Sequence, residues 1–327
     1  MTESDPTSAG APARRAAVVV NPAKSLDLDL REAVQEICRD EGWTDPLWLE
    51  TSVEDPGAGQ ARQALEEGVD VVLAAGGDGT VRCVAGVLAG TNTALGLIPL
   101  GTGNLLARNL GINISDPALA AWQALTGTTR RIDVVRAVVD DAAEEQIFLV
   151  MAGLGYDAAI MADTNDGLKD RVGWLAYVDA GIRNLPGKPV RAKISIDGAR
   201  PVSRRLRSLM GGNCGRLQGG IEMFPGAQPD DGVLDLMTLA PSGTFGWFAV
   251  LAGLFTRGRT KDPAVEYFQG KSVQVATDVP QEIQLDGDHI GQGSRLTMTV
   301  DPGALLVTSS NESRPKPVTF PAGRPTS

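Results

Sequence analysis

Two stretches constrain this chain more than any others. An apolar, β-branched run, Val69–Ala75 (VDVVLAA), leads into Gly76-Gly77-Asp78-Gly79-Thr80. A second, Ala94–Pro99 (ALGLIP), leads into Leu100-Gly101-Thr102-Gly103-Asn104. Short apolar runs closed by turn residues read as buried strands, and the stretches that follow, Val81–Leu88 and LLARNL, read as helices. Glycines let backbone approach a ligand closely, and free amides at a helix N-terminus attract anions. Both loops therefore suit phosphate. Asp78 cannot itself hold an anion; it suits a Mg²⁺ shell or a hydroxyl, while GGDG taken alone also fits a tight turn with a capping aspartate. No Gly-Lys-Ser/Thr follows, so this is not a P-loop, and the spacing is not the dinucleotide-binding fingerprint.

The surrounding pattern extends the alternation. Ala16–Val20 (AAVVV) reads as a strand ending at Asn21-Pro22, Leu26–Glu41 as an amphipathic helix, Pro46–Glu50 as a strand and Ala58–Glu67 as a helix. Asp116-Pro117 opens another helix, with a capping residue and proline at the first position. Residues 14–131 are expected to form an α/β domain with a mostly parallel sheet covered on both faces, its ligand at the carboxyl ends of the strands. From about residue 132 the period changes to two: Val190–Ile196 with the turn signal Asp197-Gly198, then Ile283–Asp288 and Leu296–Val300. Residues 132–310 are expected to form an antiparallel β-sandwich, interrupted by helices near Leu168–Asn184 and Thr244–Thr256. Residues 1–13 read as a disordered leader and 311–327 as a disordered tail.

Composition narrows the chemistry. With a formal net charge of -10 across 327 residues, nucleic acid is not expected as a bulk electrostatic partner. A single histidine, His289, excludes a histidine-based metal cage. Cys38, Cys83 and Cys214 are far apart in sequence, as expected of free thiols in a reducing compartment. The apolar Phe245–Phe255 is about half the ~20 residues a membrane span requires. The expectation is a cytoplasmic protein whose chemistry rests on carboxylates, hydroxyls and amides.

Asn21-Pro22, GGDGT at 76–80, PLGTGN at 99–104, GLGYD at 153–157 and LDGD at 285–288 follow one another in an ordered set. That set resembles the diacylglycerol kinase catalytic-domain family, which includes bacterial lipid kinases and sphingosine kinases, over residues 15–308. The resemblance implies an α/β domain like that of NAD kinase and phosphofructokinase, binding ATP, with a β-sandwich that receives the lipid. It places Asn21, Thr51, Gly76, Gly77, Asp78, Gly79, Thr80, Val81, Arg82, Gly101, Thr102 and Asn104 at or beside the nucleotide, and Arg171 near its phosphates. Asp157 corresponds to a carboxylate that recognises the lipid head group. Asp231, with the backbone carbonyls of Gln228 and Val233, corresponds to a Mg²⁺ site, and oxygen-only ligation suits that hard cation. Asp288 falls where the family has its proposed general base, usually a glutamate. Read from residue types alone, Asp157 and Asp231 also fit turns, and Arg171 a solvated helix face.

The implied reaction is transfer of the γ-phosphate of ATP, with Mg²⁺, to a lipid alcohol, diacylglycerol first among them. Asp288 would be the base, with Asp78 as the further catalytic candidate. Sphingoid bases, ceramide and other lipid alcohols remain alternatives. So do an NAD kinase-like activity, although the further NAD kinase motifs are missing, and a lipid-binding regulator that has lost catalysis. A lipid acceptor implies peripheral membrane contact. Residues 183–207 carry eight basic residues against one acid, Asp197, and the Phe245–Phe255 helix could insert shallowly. Members of the family often form homodimers.

Overall fold

A computed structural model describes residues 13–25, 29–155, 189–217, 222–241, 246 and 264–309. Asp157, Arg171, the Phe245–Phe255 segment apart from Gly246, and both expected helical interruptions of the second half lie outside these residues.

Four strands, β1 (Ala16–Val20), β2 (Leu47–Glu50), β3 (Val71–Gly76) and β4 (Ala94–Pro99), form a parallel sheet in the order β4-β3-β1-β2. Every residue of β1 is buried, because the sheet is covered on both faces. Ala16, Val18 and Val20 pack with helices α2 (Leu30–Asp40) and α6 (Pro117–Thr126). Ala17 and Val19 pack with α3 (Ala58–Glu66) and α4 (Asp78–Leu88). Two short helices complete this half, α1 (Pro22–Ser25) and α5 (Leu105–Asn109). Of the helix expected over Leu26–Glu41, α2 covers Leu30–Asp40, and α1 lies ahead of that span. Asp116 caps α6 as its sequence indicated, its Oδ1 accepting the Leu119 N–H at 3.0 Å, with Pro117 next in line. Helix α4 starts at Asp78, three residues before the stretch that apolar spacing marked, because GGDGT includes the first helical turn.

The second half is antiparallel. β5 (Thr128–Val139) crosses residues 131 and 132 without a break and pairs along its length with β14 (Asp288–Ser309). β6 (Gln146–Phe148) pairs with β5. β8 (Val190–Ile196) and β9 (Val202–Leu206) form a hairpin whose turn has Asp197 and Gly198 at positive φ, as Asp-Gly suggested. β7 (Met151–Gly155), β10 (Ser208–Gly212), β11 (Leu234–Leu239) and β12 (Val265–Gly270) make up the other layer. β13 (Ser272–Leu285) joins the layers: Val273–Thr277 pairs with β8, and after a register shift Ile283–Leu285 pairs with β7. The far end of β14 reaches the parallel sheet through Val307 beside Leu95 of β4. Two long strands therefore tie the two halves together. The run Ile283–Asp288, which alternation marks as continuous, is a hairpin: Asp286 (φ 49) and Gly287 (φ 91) form a two-residue turn between Leu285 and Asp288.

Candidate active site

Strand order reverses between β1 and β3, with β2 on one side and β4 on the other, and such a switch point opens a crevice beyond the strand ends. The Asn21 N–H donates to Ala75 O at 3.0 Å and the Leu100 N–H to Gly76 O at 2.9 Å, holding the three loops side by side. Gly77 is the N-cap of α4, in an extended conformation (φ -94), and no side chain caps the helix. The first-turn amides of α4 thus have no intrahelical acceptor and no N-cap side chain to take them up. The loops touch: a Cβ on Gly101 would stand 2.7 Å from the Gly77 Cα, so only glycine fits there. A Cβ on Gly77 would meet nothing nearer than the Gly101 Cα at 3.6 Å and the Lys24 Nζ at 3.7 Å. Space, uncapped amides and a lysine converge on one point. This fits a chain of phosphates. Lys24 lies in α1, after β1, and no sequence signal ties it to the glycine loops because it follows a different strand from theirs.

Asp78 and Asn104 shape the loops. Asp78 Oδ1 accepts the Leu105 N–H at 2.6 Å, so this aspartate caps α5 rather than its own helix. Burial holds its carboxyl above the ordinary range, opposed by the Leu105 and Asn104 amides and reinforced by the charge of Asp288. Asn104, which the resemblance places at or beside the nucleotide, also builds the loop itself. Its left-handed backbone (φ 48) lets the side chain grip Gly101, accepting its N–H at 3.0 Å and donating to its O at 2.7 Å. Thr80 and Val81 are buried in the first turn of α4, and Val81 also lines a small cavity with Gly76, Asp78 and Asn104. Thr51 is also buried at the end of β2, its N–H bonded to Val20 O. Thr102 is exposed at the tip of its loop.

The hairpin tip of the sandwich meets this crevice. Asp288 Oδ2 lies 3.1 Å from the position a Cβ on Gly79 would take. It also accepts from the Arg82 Nη2 at 2.7 Å. Asp286, which the sequence reading passed over, anchors the turn. Its carboxylate accepts the N–H groups of Leu149 (2.8 Å), Val150 (2.8 Å) and Met151 (3.0 Å). Complete burial pushes its pKa up to about 6 against those three donors and the nearby Arg82 charge. The Asp-Gly turn at 286–287 was the available signal, identical in kind to the one recognised at 197–198. His289 bonds Glu282 on the adjacent strand and takes no part at the loops.

The Gln228–Val233 segment is anchored elsewhere, on Asp133. The Asp133 N–H donates to Pro229 O at 2.6 Å, and its carboxylate accepts the N–H groups of Gly232 (2.6 Å) and Gly303 (2.7 Å). Asp231 Oδ1 accepts the Val233 N–H at 3.0 Å, which leaves Oδ2 outside that bond. Burial raises the Asp231 pKa, and the charges of Asp133 and Asp230 add to it, an electronegative setting that a hard cation would relieve. The donor set fits Mg²⁺ with one carboxylate oxygen and two carbonyls. Among the described residues, no group of three or more His, Cys, Asp or Glu side chains converges on a metal position.

The sequence model of the diacylglycerol kinase catalytic domain matches residues 15–137, and that of the YegS C-terminal NAD kinase beta sandwich-like domain matches residues 150–309. A Pseudomonas fluorescens protein described as "Probable lipid kinase YegS-like" is 32% identical over 310 residues, spanning 92% of this chain and 97% of the relative. Among solved structures, a diacylglycerol kinase from Bacillus anthracis superposes with a TM-score of 0.67 at 21% identity, covering 92% of this chain and 99% of that one. An NAD kinase from Archaeoglobus fulgidus, solved in complex with ATP, gives a TM-score of 0.51 at 12% identity, over 91% and 94% of the two chains. Both structures share the two-part fold with this chain.

Proposed function

Since the chain belongs to the diacylglycerol kinase catalytic-domain family of lipid kinases, we propose that it transfers the γ-phosphate of ATP to the hydroxyl of a lipid alcohol, with diacylglycerol as the acceptor and phosphatidic acid as the product. One observation carries this reading: a carboxylate from the sandwich, Asp288, faces the glycine loop of the α/β domain at Gly79. Phosphoryl transfer asks the protein mainly for alignment and charge neutralisation, with a group to take the acceptor's proton.

The residues divide that work. The α4 amides and Lys24 bind the phosphates, while Asp78 and Asn104 hold the two loops in register. The acceptor oxygen forms a bond to the γ-phosphorus as the bond from that phosphorus to the β-bridging oxygen breaks, and ADP leaves. The hydroxyl proton passes to Asp288, whose half-exposed side chain is open to an incoming substrate. Mg²⁺, when bound, supplies positive charge, and Asp231 with the Gln228 and Val233 carbonyls would hold it in a structural or supporting role. The acceptor's bilayer implies contact with a membrane surface. Among the described residues no helix is long and apolar enough to cross one.

Purified protein incubated with labelled ATP, Mg²⁺ and a panel of acceptors, lipid alcohols and NAD, tests the reading. Labelled phosphatidic acid from diacylglycerol is the expected result. Label in another lipid would change the acceptor, and label only in NAD would replace the reading with an NAD kinase.

A further inference from the structure

Arg82 leaves α4 one turn after the glycine loop, and its Nη2 donates to Asp288 Oδ2 at 2.7 Å across 206 residues of sequence. The two partners differ in freedom. The Arg82 side chain is 15% exposed and that of Asp288 is 50% exposed. The Arg82 Nε is buried without a hydrogen-bond partner, so packing rather than a polar network fixes this arm. The fixed cation thus sets where the freer carboxylate stands, within 3.1 Å of the Cβ position of Gly79. The turn below Asp288 is separately locked by Asp286. A locked turn leaves only the Asp288 side chain free to adjust, and a group projecting from the opposite wall can draw it forward.

The geometry points to Arg82 as a positioning residue that draws Asp288 over the glycine loop, to the point where the acceptor hydroxyl gives up its proton. This rests on the kinase reading above. It differs from the role that the family resemblance implies for residue 82, direct contact with the nucleotide. The two roles predict losses in different parameters. A phosphate ligand contributes to ATP affinity; a positioning residue contributes to turnover, and only through the group it positions. Arg and Lys both carry the charge, though only Arg offers a planar fork, so a lysine keeps the attraction with looser aim.

The experiment uses the full chain, with ATP affinity read by calorimetry and kcat read on dioleoylglycerol in phosphatidylglycerol vesicles. Arg82→Gln should lower kcat by ~10²-fold, the scale of a ~1 Å misplacement, while ATP affinity changes by no more than about threefold. Arg82→Lys should recover a large part of the rate. In the Asp288→Asn background, Arg82→Gln should cost no more than about threefold further, because the residue it serves is already disabled. Three results would overturn the assignment: ATP affinity falling ~10-fold or more with kcat preserved, the two losses multiplying, or Arg82→Gln turning over like wild type. The affinity arm stands whatever the acceptor proves to be. Absence of transfer from ATP to any lipid alcohol by the wild-type protein would instead remove the kinase reading itself.

Discussion

At the scale of single residues, Gly77 and Asp286 separate binding from stability. A methyl group on Gly77 has ordinary contact distances on the protein side and needs no positive φ, so Gly77→Ala should fold with a melting temperature close to wild type. That methyl nevertheless points between Gly101 and Lys24, where phosphates are expected. ATP affinity, measured by calorimetry, should fall by ~10-fold or more in a variant whose stability is intact. Affinity equal to wild type would take the cradle out of the account. Asp286 shows the opposite balance. Its folded pKa of about 6 lies above the ordinary carboxyl value of 3.8, so the folded state binds the proton more tightly than the unfolded chain. Its contribution is complete below about pH 4 and declines as pH rises through about 6, by on the order of 3 kcal/mol. Asp286→Asn removes this dependence and weakens the three amide contacts. The stability advantage of wild type over Asp286→Asn, from urea unfolding, should therefore shrink between pH 4.5 and 7.5. An advantage that grows with pH would contradict the assignment.

At the scale of elements, the Asp116 cap provides a control distant from the chemistry. Asp116→Ala should cost about 1 kcal/mol of stability, read by denaturant midpoint, and leave turnover unchanged. Elements of this kind were legible because their signals are local. β4 falls on the residues its apolar run marked, and the α6 cap is a residue type at a position. The hairpin at 286–287 was less legible because apolar alternation runs through Ile283 and Leu285 right up to the turn, and nothing in that period marks a reversal. Only the Asp-Gly pair does. Long-range partners were not legible at all. The pairing of Arg82 with Asp288 across 206 residues has no local signal, and neither has the closure of the Gly232 and Gly303 N–H groups on the Asp133 carboxylate. Asn104 shows a subtler limit: residue type indicated a hydrogen-bonding group, but only its left-handed backbone reveals that the bonds are spent inside the loop.

At the scale of the molecule, the proposed lipid acceptor requires a chain with a net charge of -10 to meet a lipid surface through a local basic region. The outward face of the β8–β9 hairpin provides one. Arg191 lies directly opposite Arg205, both exposed, with Lys193 two residues along. Like charges across a strand pair are unfavourable unless something anionic lies against them. Each basic side chain near an anionic bilayer contributes ~1 kcal/mol. Sedimentation with phosphatidylglycerol vesicles should show binding that weakens with salt and falls when Arg191 and Arg205 are both changed to Glu. Binding indifferent to salt and to these changes would assign the contact to another part of the chain.

The most direct test of the central claim, that a sandwich carboxylate works across from nucleotide held by the glycine loops, is kcat for Asp288→Asn with ATP and diacylglycerol, measured beside its ATP affinity. The amide keeps the shape of the side chain and removes its basicity. The account predicts a kcat lower by ~10²-fold or more with ATP affinity nearly unchanged. Turnover near the wild-type rate would contradict it, and would move the search for the proton acceptor to Asp78.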